Sequence, residues 1–131
     1  MRILLADDHP QLLERVTALL RSSFDIVGIA HDGEELVEEA LKLDPDVIVA
    51  DILMPVLTGI EAAHRLHESG SRAKFVFLTV HSDDEFVRAC MAEGALGYVV
   101  KSRMGTDLIP AIDAAFSGQS YVSRLASRRN L

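Results

Sequence analysis

Residues 3–10 read Ile-Leu-Leu-Ala-Asp-Asp-His-Pro. Four apolar residues run into two aspartates, and Pro10 suits the first turn of a helix. The run is too short for a signal-peptide core. It reads as a buried strand that ends at a polar edge. The residues after it continue the argument, because Leu12, Leu13, Val16, Leu19 and Leu20 recur at helical spacing.

The same alternation runs down the chain. Apolar runs at Ile26–Ala30, Val47–Ala50, Phe75–Leu78 and Tyr98–Val100 are each followed by an amphipathic stretch. Asp32 is placed to cap a helix carrying Leu36, Val37, Ala40, Leu41 and Leu43, with Glu34 and Glu35 at its positive end. Pro55 and Gly59 lie in a loop before a helix near Ile60–Ser69, and Ser82 is placed to cap a helix holding Phe86, Val87, Cys90 and Met91. The last helix carries a core stripe of Leu108, Ile112 and Phe116 and stops at Gly118. Five such units imply a parallel α/β sheet with helices on both faces. Continuous apolar strands agree, since both of their faces are buried.

The 131 residues make one domain, residues 1–118, followed by a tail, 119–131, that reads as a docked end or the start of a linker. Hydrophobic residues are 49% and charged residues 25%, which excludes a disordered or low-complexity chain. Cys90 is the one cysteine, so neither an intrachain disulfide nor a cysteine zinc cluster can form. No apolar run approaches the ~20 residues of a membrane span, and a cytoplasmic protein is expected. The net charge of −7 argues against a nucleic-acid surface. The tail holds Arg124, Arg128 and Arg129 and no acid, so residues 1–118 carry −10.

In open α/β sheets, ligands bind at the carboxyl ends of the strands. There the sequence places Asp7, Asp8 and His9, then His31-Asp32, Asp51, Thr79 and Lys101. Two like charges ~4 Å apart cost about 4 kcal/mol at an effective dielectric near 20, so converging carboxylates call for a cation. An all-oxygen set suits magnesium. Lys101 and Thr79 can hold an anion beside it. A carboxylate with metal, lysine and hydroxyl describes phosphoryl transfer, with the carboxylate itself as a possible nucleophile.

Asp7-Asp8, Asp51 within Asp51-Ile52-Leu53-Met54-Pro55, Thr79, and Lys101 after Gly97-Tyr98-Val99-Val100 resemble the response-regulator receiver domain. Leu5–Pro10 and Gly118–Ser123 resemble its NarL/LuxR-type subfamily. The resemblance implies a flavodoxin-like (βα)5 fold with a doubly wound five-stranded sheet in the order 2-1-3-4-5. It implies that Asp51 accepts a phosphoryl group from a sensor histidine kinase. Magnesium or manganese would sit on Asp8, Asp51 and the Leu53 carbonyl, with Asp7 acting through water. Thr79 and Lys101 would bind phosphoryl oxygens, and Thr79 and Tyr98 would form the switch. Leu53, Val80 and His81 would tune the site.

The output would be transcriptional, through a LuxR-type DNA-binding domain absent from this chain. A homodimer is expected. The resemblance marks the helix containing Phe86, the strand of Tyr98 and the last helix as the output face. Enzymatic activity is limited to self-phosphorylation and autodephosphorylation. Val80 departs from the small residue common after the threonine, and Ser102 from the proline common after the lysine. Both leave the direct ligands intact. A stand-alone receiver and a phosphorylation-independent interaction module are the alternatives. A small magnesium-dependent phosphohydrolase is disfavoured, because Leu53 stands where a haloacid-dehalogenase-like enzyme has its second aspartate. His64 and His67 lie three apart on one helix and suggest a metal site only weakly.

Overall fold

Side chains alternate across a strand, so a strand of continuous apolar residues must be covered on both sides. The computed structural model describes residues 1–123 and meets this requirement with helices on each face. The elements are β1 (Arg2–Ala6), α1 (Pro10–Leu20), β2 (Asp25–Ala30), α2 (Gly33–Leu43), β3 (Val47–Ala50), α3 (Gly59–Glu68), β4 (Lys74–Thr79), α4 (Asp84–Ala92), β5 (Gly97–Val100), a 3-10 turn (Lys101–Arg103), α5 (Met104–Phe116) and β6 (Tyr121–Val122). The strands are parallel in the order β2-β1-β3-β4-β5-β6. This is the flavodoxin-like order, extended by one short strand from the tail. The tail arginines Arg124, Arg128 and Arg129 lie outside the described residues.

Leu4, Ala6, Ile48, Ala50, Phe75, Phe77 and Tyr98 pack toward α2, α3 and α4. Ile3, Leu5, Val47, Val49, Val76, Leu78 and Val99 pack toward α1 and α5. Register places the site. Ala6 pairs with Ala50, which sets Asp7 beside Asp51. Thr79 pairs with Val100, which sets Lys101 one residue beyond the threonine.

The helix ends follow local chemistry. Asp32 accepts a bond from the Glu35 amide at 2.8 Å. Thr58 and Glu61 form a reciprocal capping box, which also holds the Glu61 carboxyl below its ordinary range through the bonds from Thr58. Gly118 takes a positive φ of 79° after α5.

Two expectations are corrected. Ser82 does not cap α4, which begins at Asp84 with Asp83 at the cap position. Phe116 is not core; it is 53% exposed, as Leu41 on the α2 stripe is at 54%. Their helices are covered on one face only, and the outer edge of each apolar stripe stays in solvent. Among the described residues no helix is long and apolar enough to cross a membrane.

Candidate functional site

The site forms where four strands end. The Asp7 amide donates to the Ala30 carbonyl at 3.1 Å, and the Asp51 amide donates to the Ala6 carbonyl at 3.0 Å. The sheet ladder therefore runs one residue past β1 and β3 and fixes both aspartates. Both are buried, Asp51 to 6% exposure. Gly59 makes room behind them. A Cβ there would lie 2.1 Å from the Asp51 carbonyl oxygen. Between them, Val56 adopts φ 72°, and the Leu57 amide donates to the Pro55 carbonyl at 2.8 Å. This is a γ-turn with positive φ at a β-branched residue, a strained choice beside the site.

Lys101 Nζ lies 3.0 Å from Asp51 Oδ2 and 3.0 Å from Asp7 Oδ2. Burial pulls the ammonium pKa down, but the bonds to the two carboxylates outweigh it and hold it above the ordinary lysine range. The second Asp51 oxygen accepts from the Ile52 amide at 2.7 Å. Asp7 Oδ1 accepts from the His9 amide and faces His9 Nδ1, each at 2.9 Å. His9 is solvent-exposed, and its bond to Asp7, with the Asp8 charge, raises its pKa above 6.5. Asp8 Oδ1 is 3.2 Å from the same nitrogen, yet it is a buried oxygen without an aligned hydrogen-bond donor.

That orphaned oxygen tests the site for a cation. Asp7, Asp8, His9 and Asp51 each offer a ligand atom, and these lie within 4.8 Å of one another. Three are carboxylates, the hard oxygen donors that suit magnesium, and the buried Asp8 oxygen makes no hydrogen bond, leaving coordination that a cation would supply. The residues fit.

Thr79, at the end of β4, is fully buried, and its Oγ1 accepts from the His81 amide at 3.3 Å. Tyr98 is fully buried and points inward, and its hydroxyl donates to the His81 carbonyl at 2.9 Å. Burial raises its phenol pKa. The His81 ring rests on Phe86, with centroids 4.7 Å apart. Leu53, Val56 and Val80 are exposed apolar residues, Val80 being 70% exposed. All described peptide bonds are trans, in keeping with Ser102 after Lys101.

The structure does not bring the remaining histidines to this site. His64 pairs with Glu68 and with Glu93. His67 lies against Gly94. Among the described residues neither belongs to a group that could hold a metal. Cys90 is core, and burial pushes its thiol up to about 12.

Residues 3–113 match the response regulator receiver domain. The chain belongs to that family. The receiver is 35% identical over 125 residues to the response regulator GacA of Pseudomonas viridiflava, covering 94% of this chain and 58% of GacA. It is 37% identical over 123 residues to the nitrate/nitrite response regulator NarL of Escherichia coli K12, covering 92% and 57%. It therefore spans a little over half the length of these relatives. Among solved structures, a LuxR-family response regulator from Aurantimonas sp. SI85-9A1 aligns with a TM-score of 0.89 at 29% identity over 99% of this chain and 98% of that one. The receiver domain of RcsB from Salmonella enterica serovar Typhimurium, solved with the phosphomimetic BeF3−, aligns at 0.89 and 26% over 98% and 96%. The receiver is thus of the NarL/LuxR type, and its acidic pocket is of the kind in which receiver domains bind magnesium.

One buried constellation escaped the sequence reading. Asp107 accepts from Arg103, Tyr121 and Ser123 at the start of α5. Burial alone would raise its carboxyl pKa, but these bonds hold it below the ordinary range. The signal available was the spacing of Arg103 and Asp107, four apart on a helix.

Proposed function

We propose that Asp51 is the phosphoacceptor of a two-component signalling pathway, taking its phosphoryl group from a sensor kinase phosphohistidine. The observation that carries this is Lys101, which bridges Asp51 and Asp7 beside a buried Asp8 oxygen that makes no hydrogen bond. An Asp51 carboxylate oxygen attacks phosphorus, the phosphorus–nitrogen bond breaks, and the imidazole leaves with its electron pair and takes a proton. Lys101 then turns from the carboxylates to a phosphoryl oxygen, and Thr79 donates its hydroxyl to another. Asp8, Asp51 and the Leu53 carbonyl would hold magnesium or manganese directly, with Asp7 acting through water. The ion supplies charge neutralisation for the transferring group.

Thr79 moving toward the phosphoryl group would shift the His81 loop, which also holds the Tyr98 hydroxyl. Leu53, Val80 and His81 set water access and so the phosphoryl lifetime. Chemistry is confined to self-phosphorylation and slow hydrolysis. Residues 1–118 form the phosphorylated unit and the tail leads toward the output. Output is transcriptional, as in the relatives named transcriptional regulatory proteins, and the chain forms a homodimer.

The test is intact mass after incubation with phosphoramidate, with and without magnesium. One phosphoryl group is gained only with magnesium and never by Asp51→Asn. A folded, magnesium-loaded wild type that gains none overturns the reading and favours an interaction module.

A further inference from the structure

The residues on either side of Lys101 are held by the tail and α5. Ser123 is fully buried, level with the end of β5, and its amide donates to the Tyr98 carbonyl at 2.7 Å. Its hydroxyl oxygen accepts from the Val100 amide at 3.2 Å, one residue before Lys101. The same hydroxyl donates to Asp107 Oδ2 at 2.8 Å. Arg103, two residues after Lys101, donates from Nε to that same oxygen at 3.0 Å. Tyr121 donates from its hydroxyl to the other Asp107 oxygen at 3.0 Å. A closed ring of bonds therefore runs from Val100 through Ser123 and Asp107 to Arg103, and Lys101 is inside it. Beyond Tyr98 the β6 ladder stops, and the Ser123 side chain takes over the pairing of the Val100 amide.

An ammonium on a four-carbon stem reaches a phosphoryl oxygen accurately only if its own backbone is fixed. Small displacements of a positioning group are costly in rate. The ring has no other polar duty at the site, since neither Ser123 nor Asp107 contacts Asp51 or Asp7.

We propose that Asp107 and Ser123 are positioning residues for Lys101, so that docking of the 121–123 segment and the grip of Lys101 on the phosphoryl group are one coupled equilibrium. Linkage makes the coupling reciprocal: if the docked strand favours the bound group, the bound group favours the docked strand. The inference rests on the reading of Asp51 and Lys101 as the phosphoryl site.

The experiment uses the full chain as wild type, Ser123→Ala and Ser123→Thr. Phosphorylation by phosphoramidate is followed by intact mass, with magnesium titrated. Amide hydrogen exchange is read with and without magnesium plus beryllium fluoride. Ser123→Ala should slow phosphorylation at saturating magnesium by roughly fivefold, the effect of one hydrogen bond, with half-saturation in magnesium unchanged. Ser123→Thr, which keeps the hydroxyl, should recover the wild-type rate. In the wild type, beryllium fluoride should slow exchange at Tyr121 and Ser123, and in Ser123→Ala it should not. A merely structural role would lower the unfolding midpoint without these changes. The proposal is overturned if Ser123→Ala is phosphorylated at the wild-type rate, or if beryllium fluoride leaves the Tyr121 and Ser123 amides unchanged in a wild type that takes up phosphoryl. A wild type that takes up neither probe refutes the phosphoacceptor reading itself, and the positioning role falls with it.

Discussion

The Lys101 ammonium stands 3.0 Å from Asp51 Oδ2, although fifty residues separate the two in sequence. Both side chains are largely withdrawn from water, so each charge depends on the other. Lys101→Met should cost about 3 kcal/mol of stability in magnesium-free buffer, because it leaves buried carboxylates without their cation. Urea unfolding would measure the loss, and magnesium should restore part of it. Adding Asp51→Asn should recover part as well. An equal loss whatever stands at position 51 would mean that Lys101 contributes packing rather than charge.

Tyr98 should be separable into a ring and a hydroxyl. Tyr98→Phe removes the bond to the His81 carbonyl and should cost about 1 kcal/mol. Tyr98→Ala empties a fully buried position and should cost about 3–5 kcal/mol. In Tyr98→Phe, the amides of the 80–83 loop should exchange faster while those of β1 do not. Unchanged exchange and stability would show that the hydroxyl holds nothing.

The loop between Asp51 and α3 carries strain at one residue and tight clearance at another. Val56→Gly should stabilise the protein by about 1 kcal/mol, because glycine adopts the positive φ without the steric cost that valine bears. Gly59→Ala should destabilise it by about 1–3 kcal/mol or more, because the new methyl meets the backbone oxygen of Asp51. Paired denaturation curves test both signs, and a destabilised Val56→Gly would mean that the γ-turn is not strained.

His64 should titrate above its ordinary value of 6.5, because the Glu93 carboxylate, followed by Glu68, favours the imidazolium. A raised folded value means that the added stability is full below the unfolded pKa and is lost as pH rises through the folded one. The pair is exposed, so the effect should shrink with salt. Ring resonances followed by NMR should show Glu93→Gln returning the titration toward 6.5. No movement in that variant would remove Glu93 as the cause.

The alternation of apolar runs and amphipathic stretches was enough for the parallel sheet, since it is a local pattern set by burial on two faces. The type and order of Asp7, Asp8, Asp51, Thr79 and Lys101 were enough for the acidic site, because a parallel sheet gathers whatever follows its strands at one edge. Tertiary structure decided the rest. Which side of a helix stripe stays wet depends on what packs against it, so Phe116 was misplaced. Ser82 is not the cap because α4 begins one residue later than expected, at Asp84 with Asp83 at the cap position. Gly118–Ser123 carries the subfamily resemblance, but no local periodicity that marks a strand. Tyr121 and Val122 become a sixth strand, and Ser123 part of a bonded ring that spans Lys101, only because β5 leaves an edge with unpaired backbone groups, which Tyr121 and Ser123 satisfy.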